Sequence, residues 1–123
     1  MQKFRFLEWQ VYKDAQNLFT LSLKIVANLP KEVRFSFGGQ LTRAGLSIIL
    51  NIAEGSGKKT DRDLSRFLDI ALGSAYEVLA ILDTLNKNKL LDSDTLQKLT
   101  GDLSSITSQL GGLKKSLRGK GGV

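Results

Sequence analysis

Apolar residues recur at helical spacing through four long stretches, and Pro30 is the only proline in 123 residues. Proline breaks helix interiors, so a chain nearly free of it can keep helices long. The last stretch is the most regular. Leu96, Leu99, Leu103, Ile106, Leu110, Leu113 and Leu117 alternate steps of three and four, the narrow seam of coiled-coil packing. We therefore start from an all-α chain and ask how its helices meet.

The first stretch spans about Glu8 to Asn28, with Val11, Tyr12, Ala15, Leu18, Phe19, Ser22, Ile25 and Val26 in its stripe. Pro30 pushes Leu29 out of the α region and ends it. The second spans about Phe37 to Glu54, with Ser36 as a candidate cap. Leu41, Ala44, Ile48 and Ile52 form its stripe, but Leu46, Ile49, Leu50 and Ala53 widen the apolar surface. A helix apolar on more than one side is buried on more than one side, which predicts packing both within the bundle and against another subunit. The third spans about Asp61 to Asn86, with Thr60 as cap and Leu79 and Ile81 outside its stripe. The fourth spans about Ser93 to Leu117, capped by Asp92 or Ser93. Breaks this short make sequential helices antiparallel, so the expected fold is an up-down four-helix bundle over residues 1–118, with a flexible basic, glycine-rich tail over 119–123.

Composition removes several functions. With no cysteine and no histidine, zinc and copper sites of the usual kind are out. The commonest general base and the strongest nucleophile are also missing. We expect no cofactor, no metal, no small-molecule substrate and no enzymatic activity. No apolar run reaches membrane-spanning length, and the start "MQKFRFLEWQ" has no signal-peptide core. A cytoplasmic protein without a membrane partner is the expectation.

The stretch "GSGKKT" at 55–60 looks like the end of a phosphate-binding loop. The Walker A pattern fails three ways: Ile52 stands where its first glycine belongs, Lys59 displaces the hydroxyl to Thr60, and the preceding segment is helical. The stretch is better read as a hinge, with Gly55 or Gly57 supplying a left-handed residue that ends the second helix. Lys58, Lys59 and Arg62 are then exposed beside a helix N-terminus, where a phosphate backbone could bind.

The net charge of +6 is unevenly spread. Residues 36–57 are neutral, whereas the last fifteen hold Lys114, Lys115, Arg118 and Lys120 without an acid. These four join the loop cations as candidate nucleic-acid contacts. Inside the second helix, Arg43, Ser47, Asn51 and Glu54 share one face, and Arg66, Asp69, Gly73, Ser74 and Glu77 do the same in the third. In an antiparallel hairpin, Glu54 with Arg66, Asn51 with Asp69, Ser47 with Gly73, and Arg43 with Glu77 all have an index sum of 120. This predicts a polar ladder with an ion pair near each end, and a close backbone approach at Gly73.

The segment "LTRAGLSIILNIAEGSGKKTDRDLSRFLDIALGSAYEVL" resembles the bacterial four-helix-bundle proteins encoded in intervening sequences of large-subunit ribosomal RNA genes. Gln40, Leu41, Arg43, Ala44, Ser47, Ile48, Asn51, Ile52, Ala53, Glu54, Gly55 and Gly57 match the first half of their pattern. Arg66, Phe67, Leu68, Ile70, Ala71, Gly73, Ser74 and Glu77 match the second. The resemblance covers about residues 6–115. It implies a cyclic homo-oligomer, a pentamer, and kinship with the accessory variability determinant of diversity-generating retroelements. That relative is a basic barrel that binds nucleic acid and a reverse transcriptase. No enzymatic activity comes with it. Ile49 stands where many members have proline, and Leu79 and Ile81 where members often have polar residues. With Leu50, these apolar positions are the candidate oligomer interface. We thus expect a non-enzymatic scaffold for RNA or DNA, acting as accessory to a reverse transcriptase in the retroelement case. The alternative is a protein-interaction or structural bundle encoded by an rRNA intervening sequence, with no nucleic-acid role.

Overall fold

The computed structural model describes residues 3–119, which are helical with no strand among them. A 3₁₀ turn at Arg5–Glu8 precedes α1 (Gln10–Ala27), α2 (Lys31–Arg34), α3 (Ser36–Ser56), α4 (Asp61–Lys87) and α5 (Ser93–Gly119). Among the described residues, no helix is long and apolar enough to cross a membrane. The four long helices fall where the apolar periodicity puts them. Gly119 still belongs to α5, one residue past the expected boundary, and the rest of the expected tail lies outside the described residues.

The short α2 is not visible in the periodicity, because four residues are too few to show one. Pro30 starts it with φ −55°, a torsion already suited to a helix entrance. Its carbonyl accepts from the amides of both Val33 and Arg34 at 3.0 Å. Ser36 is not a cap. It is the first residue of α3, and its hydroxyl donates to Val33 O at 3.4 Å. The backbone at Phe35 is itself helical, so α2 runs almost directly into α3.

Cross-helix contacts fix the pairing. Ser47 of α3 meets Ser74 of α4, whereas Gly55 lies against Phe67 and Leu64. Rising numbers on one helix meet falling numbers on the other, so α3 and α4 run oppositely. On the other side of α3, Gly38 and Gly45 lie against Val26 and Phe19 of α1. Asp14 of α1 accepts from Gln109 of α5 at 2.8 Å, and Asp69 of α4 pairs with Lys114 of α5.

The core runs through all four long helices: Leu18, Leu41, Ile48, Ile52, Leu68 and Leu82 are fully buried, as are Leu99, Ile106 and Leu110. Each such side chain contributes roughly 1.5–3 kcal/mol by leaving water. The breadth of the apolar surface on α3 has an internal cause. That helix is covered by α1 on one side and α4 on the other. Ile49 belongs to this core at 8% exposure, which corrects its assignment to an oligomer interface. Leu79 and Ile81 are half-buried and pack against the core, and only Leu50 stands well out, at 53% exposure.

Candidate functional site

The sequence-selected cations come from two distant segments, and the fold brings these to one end of the bundle. The α3–α4 turn holds Lys58 and Lys59, and Arg62 follows as the second residue of α4, after Asp61. The contact between Asp69 and Lys114 sets the C-terminal part of α5 beside the first turns of α4. A third segment joins them. Arg5 donates from Nε to the carbonyl of Ser56 at 3.2 Å, which ties the N-terminal turn to the end of α3. Arg5 also lies 5.3 Å from the centre of the Trp9 ring. Sequence reasoning missed Arg5. The +3 charge of residues 1–35 was the available signal, but nothing local showed which end of the bundle it would reach.

These cations are not equivalent. Lys58 is 3.9 Å from the Glu54 carboxylate and 4.9 Å from the centre of the Phe67 ring. Arg66 lies over the same ring at 4.8 Å and 3.8 Å from Asp63. The Phe67 ring thus has two cations within 5 Å of its centre, each with its own acid. Lys114 is engaged by Asp69. By contrast Lys59, Arg62 and Lys115 are exposed, with no ion pair among the described residues. The backbone of Arg118 is in α5, but its side chain, like all of Lys120, lies outside the described residues.

The glycines of "GSGKKT" do other work than expected. Gly57 has φ −92° and Gly55 is helical, so neither is left-handed. The turn closes through Gly57 N to Glu54 O at 3.2 Å and Lys58 N to Gly55 O at 3.0 Å, the tightened last turn that helices use to satisfy end carbonyls. Gly55 is needed for space instead. A Cβ there would stand 2.8 Å from Phe67 Cβ and 3.1 Å from Leu64 Cδ1. Thr60 caps α4 as expected, accepting from Asp63 N at 3.1 Å.

The polar ladder has its middle and lacks its ends. Ser47 and Ser74 share a hydrogen bond of 2.7 Å, and Asn51 donates to Ser47 O and Oγ at 2.8 and 3.1 Å. The rung is one residue away from the expected Ser47–Gly73 pair. One residue is about 100° of helix rotation, so Gly73 faces outward and a Cβ there would touch nothing within 4 Å. Glu54 and Arg66 turn to neighbours on their own side of the hairpin, Asp69 turns to α5 rather than to Asn51, and Arg43 and Glu77 form no ion pair among the described residues.

With this geometry in place, comparison with known proteins is decisive for the family. The family model of the 23S rRNA-intervening sequence protein matches residues 8–112. The chain belongs to this family. A solved protein of unknown function from the S23 ribosomal protein family of Bacteroides thetaiotaomicron superposes with a TM-score of 0.79. It is 24% identical, and the match covers 85% of this chain and 95% of that one. At that identity the likeness establishes a shared helical fold. No curated protein matches. The family match runs from Glu8 into α5, and so includes both the Ser47–Ser74 rung and the cation-bearing turn, but it stops before Lys114 and Lys115.

Proposed function

We propose that this family member is a non-enzymatic scaffold: an up-down four-helix bundle that assembles into a cyclic homo-oligomer and holds RNA or DNA at the cation-rich end of each bundle. The observation that carries this reading is the meeting of three separate chain segments at that end, with Lys59, Arg62 and Lys115 exposed and without an ion pair among the described residues. Unpaired surface cations bind phosphate backbones by releasing counterions, with little regard to sequence. A ring multiplies the effect. Five copies at +6 each would carry about +30, enough to concentrate polyanions around it. Leu46, Leu50 and Ile70 remain exposed on α3 and α4, which supports association between copies.

Fluorescence anisotropy with single-stranded RNA and DNA tests this. Affinity should fall steeply between about 50 and 200 mM salt, each phosphate contact adding roughly 0.7–0.9 to the log–log slope. The triple variant Lys59→Glu/Arg62→Glu/Lys115→Glu should bind at least about tenfold more weakly, with a shallower salt slope. No binding at about 50 mM salt would reject the polyanion role and favour a protein-interaction bundle.

A further inference from the structure

The end of the bundle opposite the cation-rich turn carries the most exposed large apolar side chain among the described residues. Phe35, at the joint between α2 and α3, is 94% exposed. It is not loosely held. Its backbone is helical, its carbonyl accepts from Gly39 N at 3.2 Å, and the preceding Arg34 guanidinium donates twice to Leu29 O, at 3.2 and 3.0 Å. A phenyl ring fixed in water on a rigid corner loses the burial that normally accounts for keeping an aromatic.

Close by, a cleft of about 520 Å³ opens between the start of α3 and the last turns of α4. Phe37, Ala80, Ile81, Leu85 and Leu90 give it apolar walls, and Glu77 is the charged residue among those lining it. Phe35 does not line this cleft. It borders a second hollow on the α1 side of α3, where the charged residues are Lys31, Arg34 and Arg43. Phe37 and Gln40 border both hollows and form the ridge between them. One protomer therefore has an apolar knob in a cationic surround on one side of α3, and an apolar cleft with an acid on the other. The two lie at the same level of the bundle, and the intervening ridge keeps them apart within one chain.

The geometry points to a second copy of this chain as the occupant: Phe35 of one protomer seats in the α3–α4 cleft of the next, with Lys31, Arg34 and Arg43 facing the neighbour's Glu77. A contact between two different patches is heterologous, and such contacts close into rings when each step is a rotation without a shift along the axis. Knob and cleft at one level give no shift when the helices run along the ring axis. An aromatic anchor in a pocket surrounded by weaker polar contacts is also the usual form of an interface hot spot. This inference rests on the oligomeric part of the proposed function and names the residues that make the contact.

The test uses the full chain, with mass read by light scattering and native mass spectrometry, and helicity by circular dichroism. The wild type should be larger than a dimer. Phe35→Ala, which removes the knob, and Ala80→Trp, which fills the cleft from an exposed position, should each give folded monomers, with association weakened at least about tenfold. Mixed together, they should form a one-to-one heterodimer and nothing larger, because one intact knob meets one intact cleft. An oligomeric Phe35→Ala variant would overturn the contact while leaving the oligomeric reading standing. A mixture that stays monomeric would overturn the heterologous arrangement. A monomeric wild type would overturn both this contact and the assembly on which it rests.

Discussion

The two turns that flank α4 solve the same problem with different chemistry. At residues 57–60 the chain leaves α3 through a tightened last turn with no left-handed residue, and enters α4 through the Thr60 cap. At residues 88–92 it leaves α4 through Lys89 at φ 62°, the one non-glycine residue with positive φ among those described. There Leu90 N reaches Leu85 O at 2.8 Å and Lys89 N reaches Asn86 O at 3.0 Å, the paired closure of a Schellman motif. The glycine-containing turn needs its glycine for packing, and the turn that needs a glycine's torsion uses lysine. A glycine in a turn therefore identifies a constraint without saying whether it is spatial or torsional.

The largest effect that can break this contrast lies at Gly55. Its neighbour is Phe67 Cβ, which is fixed to the α4 backbone and cannot swing aside. Gly55→Val should force α3 and α4 apart and lower stability by about 1–3 kcal/mol, read as a drop in the urea midpoint. Gly57→Val is the control at the same turn. A Cβ there would meet only Glu54 O, at 3.7 Å, so its loss should be much smaller. Equal losses would mean that the turn, not the α3–α4 contact, sets the requirement.

A smaller effect, of opposite sign, is expected at Lys89. Lys89→Gly removes the steric cost of a left-handed β-carbon and adds back unfolded-state freedom, leaving a net gain of about 0.5–1 kcal/mol. Thermal unfolding reads it. No gain would show that the left-handed torsion costs little here.

How far the fold and site could be read from sequence follows from the same physics. Helix positions were legible because the stripes of α1, α3, α4 and α5 are long, and each repeats over several turns. The α3–α4 register was legible to within one residue. That single step decided which of Gly73 and Ser74 faces Ser47, because periodicity gives a face to within tens of degrees and a hydrogen bond needs better. Burial of Ile49 was missed because a wide apolar face looks the same whether α1 or another subunit covers it. The meeting of Arg5 with the turn cations depends on a bond between residues 51 apart in sequence, and no local pattern carries that. Phe35 was passed over because α2 is too short to show a period, leaving its corner looking like an ordinary break.

The smallest effect is the pH-dependent part of a cap, which separates the two caps of the turns. Asp92 accepts from Thr95 Oγ1 at 2.7 Å and from Thr95 N at 2.9 Å, and these bonds, the side-chain one first, hold its carboxyl below the usual value of 3.8. A carboxyl lowered in the folded state contributes stability that is fully present above its unfolded value and fades as pH falls through the folded one. Thr60 has no titrating group in its cap. The drop in melting temperature caused by Asp92→Ala should therefore be constant from neutral pH down to about 4 and shrink below it. The drop caused by Thr60→Ala, which reflects a stability loss of about 1 kcal/mol, should not change with pH over the same range. Parallel curves for the two variants would show that the Asp92 cap acts through its geometry alone, and that its charge adds nothing at the start of α5.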